Sequence, residues 1–175
     1  MNKILRKTVS FILIMIMSVG IFTSGETFDV KGAEPIEIGY SVSSESAYQG
    51  DSVEVKFFFK NFEEANVECT AFQLDVYVDP VIFAVDSMKC NLDGTNAMMF
   101  TTKFNASENK VKTIYFNTKS ILPKNSKDIC TINLTLKKDF STETDTQLNV
   151  TLAMALDAET NRFDVVYSSP VIKCL

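Results

Sequence analysis

"TAFQLDVYVDP", Thr70 to Pro80, decides how the chain folds. Phe72, Leu74, Val76 and Val78 are apolar and occupy every second position, with Ala71, Gln73, Asp75 and Tyr77 between them. A period of two sends one set of side chains into a core and the other to the opposite face of a sheet. Asp79-Pro80 then stops the run, since proline cannot donate to a ladder. The stretch predicts a strand with one buried face and one open face. The open face, carrying Ala71, Gln73, Asp75 and Tyr77, is either merely solvated or a binding surface.

Similar runs precede and follow it. They are "IEIGYSV" (Ile36 to Val42), "DSVEVKFFF" (Asp51 to Phe59), the stretch above, "VIFAVDSM" (Val81 to Met88) and "AMMFTTKF" (Ala97 to Phe104). "VKTIYFN" (Val111 to Asn117), "ICTINLTL" (Ile129 to Leu136), "QLNVTLAMAL" (Gln147 to Leu156) and "FDVVYSSPVI" (Phe163 to Ile172) complete the series. Nine short runs rich in Val, Ile, Thr, Phe and Tyr, broken by turn residues, predict an all-β sandwich. No window holds a sustained 3.6-residue period with caps.

Ahead of these runs the chain has a different character. Lys3, Arg6 and Lys7 precede an apolar run from Phe11 to Phe22, and small residues follow at Thr23 to Gly25. That order predicts a secretory signal peptide over residues 1–25. The run is too short for the roughly twenty residues a membrane helix needs, so no span is predicted once the signal is removed. Residues 26–35 read as a short polar leader, and residues 36–175 as one sandwich domain. The predicted location is extracellular or at the cell surface. The formal net charge is −5, and it becomes −8 without the three basic residues of the signal. So acidic a domain is poorly suited to nucleic acid, which is held through clustered Lys and Arg.

The chemistry that is missing narrows function further. There is no His, so Ser-His-Asp triads, Cys-His pairs and H-E-x-x-H metal sites are excluded. Glycine-rich phosphate loops are absent as well. Asp75, Asp79, Asp86, Asp157 and Glu159 offer carboxylates for glycoside hydrolysis, yet no facing acid and base pair can be named among them. Asp79, Asp86 and Asp93 lack the alternate spacing of a calcium loop. We therefore expect no catalytic residue, no metal site and no cofactor on this chain. Four cysteines, Cys69, Cys90, Cys130 and Cys174, have no C-x-x-C spacing. Cys69 precedes one predicted strand and Cys90 follows the next, which offers a Cys69–Cys90 bridge if the two strands turn back on one another. Four reduced thiols are the other reading. Direct binding of polysaccharide is an alternative function: Tyr77 and Tyr115, read as outward, would form an aromatic patch, although Trp, the best ring for stacking on sugars, is absent.

The order of these strings resembles the cohesin module. "QGDSVEVKFFFKNF" is similar to the cohesin entry into the second strand. "AFQLDVYVDPVIFAVDSM" resembles its alternating run ending at Asp-Pro and re-entering a strand. "KTIYFNT" followed by "KDICTINLTLK", and then "LAMALDAETN", are similar to the later strands. The resemblance spans about Ile36 to Lys173. It departs where the family has a tyrosine before Asp-Pro, here Val78, and where its third strand carries Asn and Asp, here Ala71 and Gln73.

The resemblance implies a nine-strand jelly roll of two antiparallel sheets. It also implies docking of dockerins, the calcium-loaded helical modules borne by polysaccharide-degrading enzymes, with any calcium on the dockerin. The implied surface is the outer side of the sheet holding the third, fifth, sixth and eighth strands. By alternation it would carry Ala71, Gln73, Asp75, Tyr77, Tyr115 and Asn117, with Thr118 just beyond, while Ala153 and Ala155 would let a helix approach closely. The acidic balance of the chain would suit a basic edge on the partner.

Overall fold

The computed structural model describes residues 34–61, 68–92, 94, 97–117 and 127–175. The predicted signal peptide, the leader up to residue 33 and Thr118 lie outside the described residues. Among the described residues there is no helix, and the chain is all-β.

In chain order the strands are β1 (Ile36–Val42), β2 (Ser46–Ala47), β3 (Ser52–Phe59), β4 (Ala71–Tyr77), β5 (Phe83–Cys90), β6 (Met99–Asn105) and β7 (Lys110–Phe116). There follow β8 (Asp128–Leu136), β9 (Thr144–Gln147), β10 (Asn149–Leu156), β11 (Arg162–Phe163), β12 (Val165–Tyr167) and β13 (Val171–Cys174). One sheet has the order β12-β1-β3-β8-β5 and the other β11-β10-β4-β7-β6. A small third sheet, β2-β13-β9, adds Ala47, Ile172 and Cys174 to the core.

The nine predicted runs all contain strand. Among the described residues the strand count rises to thirteen because the last run breaks into β11, β12 and β13, Gln147 to Leu156 straddles β9 and β10, and β2 is an addition. Pairing is not antiparallel throughout, since β1 with β12 and β2 with β13 run parallel.

The alternating apolar residues supply the inner faces. In β3, Val53, Val55, Phe57 and Phe59 point into the core; in β8, so do Cys130, Ile132, Leu134 and Leu136. From the opposite sheet Phe72, Leu74 and Val76 of β4 meet them, and the Phe59 and Phe72 rings pack edge to face at 5.1 Å. Contact between the inner faces of two sheets is what holds a sandwich together. The stop at Asp79-Pro80 is where the chain crosses between sheets. The Asp79 carboxylate accepts the Val81 N–H at 2.8 Å, and the Asp79 carbonyl accepts those of Ile82 and Phe83. Thus β4 and β5 do not pair: they belong to opposite sheets.

That separation removes the basis for the Cys69–Cys90 bridge, which assumed a hairpin between the strands flanking the turn. All four cysteines are free thiols. The residue opposite Cys90 is Cys130, on β8.

Candidate functional site

The sheet β11-β10-β4-β7-β6 contains the four strands that the resemblance assigned to the partner-binding sheet. Its register determines which residues share the outer face, because residues directly opposite one another point to the same side. Four outer rows run across it. Leu156, Ala71, Phe116 and Met99 form the first; Met154, Gln73, Ile114 and Thr101 the second. Leu152, Asp75, Lys112 and Lys103 form the third, and Asn149, Tyr77, Lys110 and Asn105 the fourth. The face therefore has an apolar half at the Ala71 end and a charged half at the Tyr77 end.

The inner rows are as well defined. Ala155, Phe72, Tyr115 and Phe100 share one; Ala153, Leu74, Thr113 and Thr102 the next. This corrects the sequence reading at four positions. Tyr115 is 1% exposed and faces the core beside Phe72, not solvent. Ala153 and Ala155 also face inward, opposite Leu74 and Phe72, and are buried. Asn117 lies one residue beyond β7 and is buried, its N–H donating to the Thr70 carbonyl at 2.9 Å. None of these four side chains forms the outer surface. The aromatic patch supposed for direct sugar binding, Tyr77 with Tyr115, is therefore not formed.

Ala71, Gln73, Asp75 and Tyr77 do lie on the outer side, but the first three form its floor. Gln73 is 8% and Asp75 4% exposed, because β4 is the central strand and longer side chains of β10 and β7 stand on either side. Sequence reasoning missed those flanking side chains: Leu152, Met154 and Leu156 on β10, and Ile114 and Phe116 on β7. All are half-buried and border the β4 floor.

The two polar side chains of the floor bond to one another. Gln73 Nε2 donates to Asp75 Oδ1 at 2.8 Å, and Lys112 Nζ lies 3.8 Å from Asp75 Oδ2. Lys112 also reaches Glu108 at 2.9 Å, and Lys110 approaches the same carboxylate at 3.7 Å. The Lys112 hydrogen bond, with the positive charges of Lys112 and Lys110, holds the Glu108 carboxyl below its ordinary range. No buried side-chain polar atom among the described residues lacks a partner.

The acids considered for catalysis are structural instead. The Asp79 carboxylate closes the turn before β5, and Asp86 accepts the Thr135 hydroxyl at 2.7 Å. Asp157 accepts the N–H groups of Glu159 and Asn161, each at 2.8 Å. Among the described residues no three metal-binding side chains gather.

Apolar side chains raised on an outer sheet face of a sandwich fit the class of protein-interaction modules. The particular family follows from comparison. The Cohesin domain model matches residues 38–173, and the chain belongs to the cohesin family. Cohesin domains are non-catalytic, which agrees with the missing active-site chemistry.

Solved structures share the fold. The cohesin of a type I cohesin–dockerin complex from Clostridium thermocellum is 14% identical, with a TM-score of 0.64, and the match covers 87% of this chain and 98% of that one. A cohesin module from a family 33 glycoside hydrolase of Clostridium perfringens is 18% identical, with a TM-score of 0.60, covering 80% and 96%. A non-cellulosomal cohesin from the archaeon Archaeoglobus fulgidus is 14% identical, with a TM-score of 0.58, covering 81% and 90%. No curated protein matches the chain.

Proposed function

We propose that the chain is an exported docking module that binds dockerins carried by secreted glycoside hydrolases or related polysaccharide-degrading enzymes. Membership of the cohesin family supports docking, and the lysine-led apolar run of residues 1–25 supports export. The observation that carries the reading is the outer face of β10, β4 and β7, where Leu152, Met154, Leu156, Ile114 and Phe116 stand around a polar floor. Apolar side chains raised on a rigid sheet suit the side of a helix, and a rigid sheet loses little order on binding. Any calcium requirement belongs to the dockerin loops.

The test is capture of dockerin-bearing enzymes from the same organism, with calcium and with chelator, beside pull-downs on insoluble cellulose and xylan. Calcium-dependent capture is the expected result. Met154→Arg and Ile114→Arg, both at the edge of the floor, should each weaken it roughly thirtyfold or more, the loss of about 2 kcal/mol expected of a central anchor. Unchanged affinity in variants with native circular dichroism and melting temperature would remove this face from the proposal. Retention on polysaccharide without any enzyme would replace docking by direct glycan binding.

A further inference from the structure

Cys90 and Cys130 are directly opposite one another on β5 and β8. The Asn91 N–H donates to the Ile129 carbonyl at 3.0 Å. A hydrogen-bonded pair at 91 and 129 makes 90 and 130 the adjacent non-hydrogen-bonded pair. Such pairs hold their Cα atoms about 4.5 Å apart with side chains converging. That separation falls within the window of about 4.4–6.8 Å that a disulfide spans. Both side chains face the sandwich interior, since the same register line runs on to the buried Phe57 of β3. Cys69 and Cys174 have no cysteine opposite them.

We infer that Cys90 and Cys130 form a cross-strand disulfide when the chain meets an external disulfide oxidant, as it would on the export route proposed above. The Cys90 thiolate attacks the oxidant's S–S bond, releasing one thiol and leaving a mixed disulfide on Cys90. The Cys130 sulfur then attacks the Cys90 sulfur and expels the second thiol. One S–S bond forms for one broken, and two electrons and two protons leave on the released thiols. Exposure assigns the order, for Cys90 is half-buried whereas Cys130 is fully buried. Burial also pushes the Cys130 thiol up to about 12, against hydrogen bonding from Thr113, so the second step is slow once the sheets have closed. The crosslink would pin both ends of the excursion that carries β6 and β7, two strands of the docking sheet.

The full chain, refolded in a buffer of oxidised and reduced glutathione, tests this without any docking partner. We expect titratable thiols to fall from four to two, with a non-reducing digest joining the Cys90 peptide to the Cys130 peptide. The melting temperature should rise by about 10 °C over the reduced form, given a closed loop of roughly 40 residues. Cys90→Ser, at the half-buried partner, should lose the crosslink and the thermal gain, while Cys69→Ser should keep both. Four titratable thiols after oxidation, or a digest joining Cys90 to Cys69 or Cys174, would overturn the inference.

Discussion

Glu108 sits in the turn between β6 and β7 and is held by Lys112 at 2.9 Å and Lys110 at 3.7 Å. The Lys112 hydrogen bond is the largest cause of its lowered carboxyl value, and the charges of the two lysines add to it. A carboxylate held lower in the folded state than in the unfolded chain adds stability above its unfolded value. That stability is lost as pH falls through the folded value. Because Glu108 is exposed, solvent and salt screen the effect, and its signature is in titration more than in stability. An NMR titration of the Glu108 side chain should show a midpoint below the ordinary glutamate range. Lys112→Met should move that midpoint upward, and high salt should move the wild-type midpoint the same way. A midpoint unaffected by Lys112→Met would mean that the ion pair is not held in solution.

At the level of strands, composition and alternation placed all nine runs, and the Asp79-Pro80 stop marked a real crossing between sheets. Which face each side chain takes was harder to read, and β10 shows why. Val150, Leu152, Met154 and Leu156 are evenly spaced and read as a single apolar set, but the register shifts between Val150 and Leu152. A bulge inserts one residue and reverses the faces that follow. Val150 stays inside, while Leu152, Met154 and Leu156 emerge and Ala153 and Ala155 turn in. Nothing in the local sequence marks Thr151 as the extra residue. In β7 the difficulty is different, because Ile114, Tyr115 and Phe116 are all apolar or aromatic and conceal the alternation. Only pairing with β4, Tyr115 opposite Phe72, resolves it. Gly50 has a φ of 92° in the turn before β3, where Asp51 N–H donates to the Tyr48 carbonyl at 3.0 Å. A Cβ on Gly50 would meet nothing within 4 Å, so Gly50→Ala isolates the backbone term. We expect it to cost about 1 kcal/mol in urea unfolding with an unchanged m-value. A neutral result would show that the turn relaxes to a conformation open to any residue.

The molecule as a whole is acidic, yet the sheet face proposed for docking is not. The charged half of that face carries Lys103, Lys110 and Lys112 against Asp75, with Glu108 of the adjoining turn paired to Lys110 and Lys112, while the formal net charge of the chain is −5. Net charge therefore points to a basic partner, but the local field at the proposed interface points to an acidic edge. The local field governs encounter, because charges farther away than about 8–10 Å are screened at physiological salt. Chelator is expected to leave the melting temperature of the isolated chain unchanged, since no metal-binding cluster lies among the described residues, while abolishing capture of the dockerin. The lysines make a kinetic prediction that neither net charge nor calcium makes. Lys103 is exposed at the margin of the face and Lys110 half-buried at its far end. Reversing both, as Lys103→Glu with Lys110→Glu, should lower the association rate about tenfold at low ionic strength and change the dissociation rate little, the pattern expected of rim charges that steer without anchoring. Added salt should shrink the difference between wild type and variant. If the variant associates faster, the partner presents a basic edge, and the net charge of the chain, not the lysines of this face, directs the encounter.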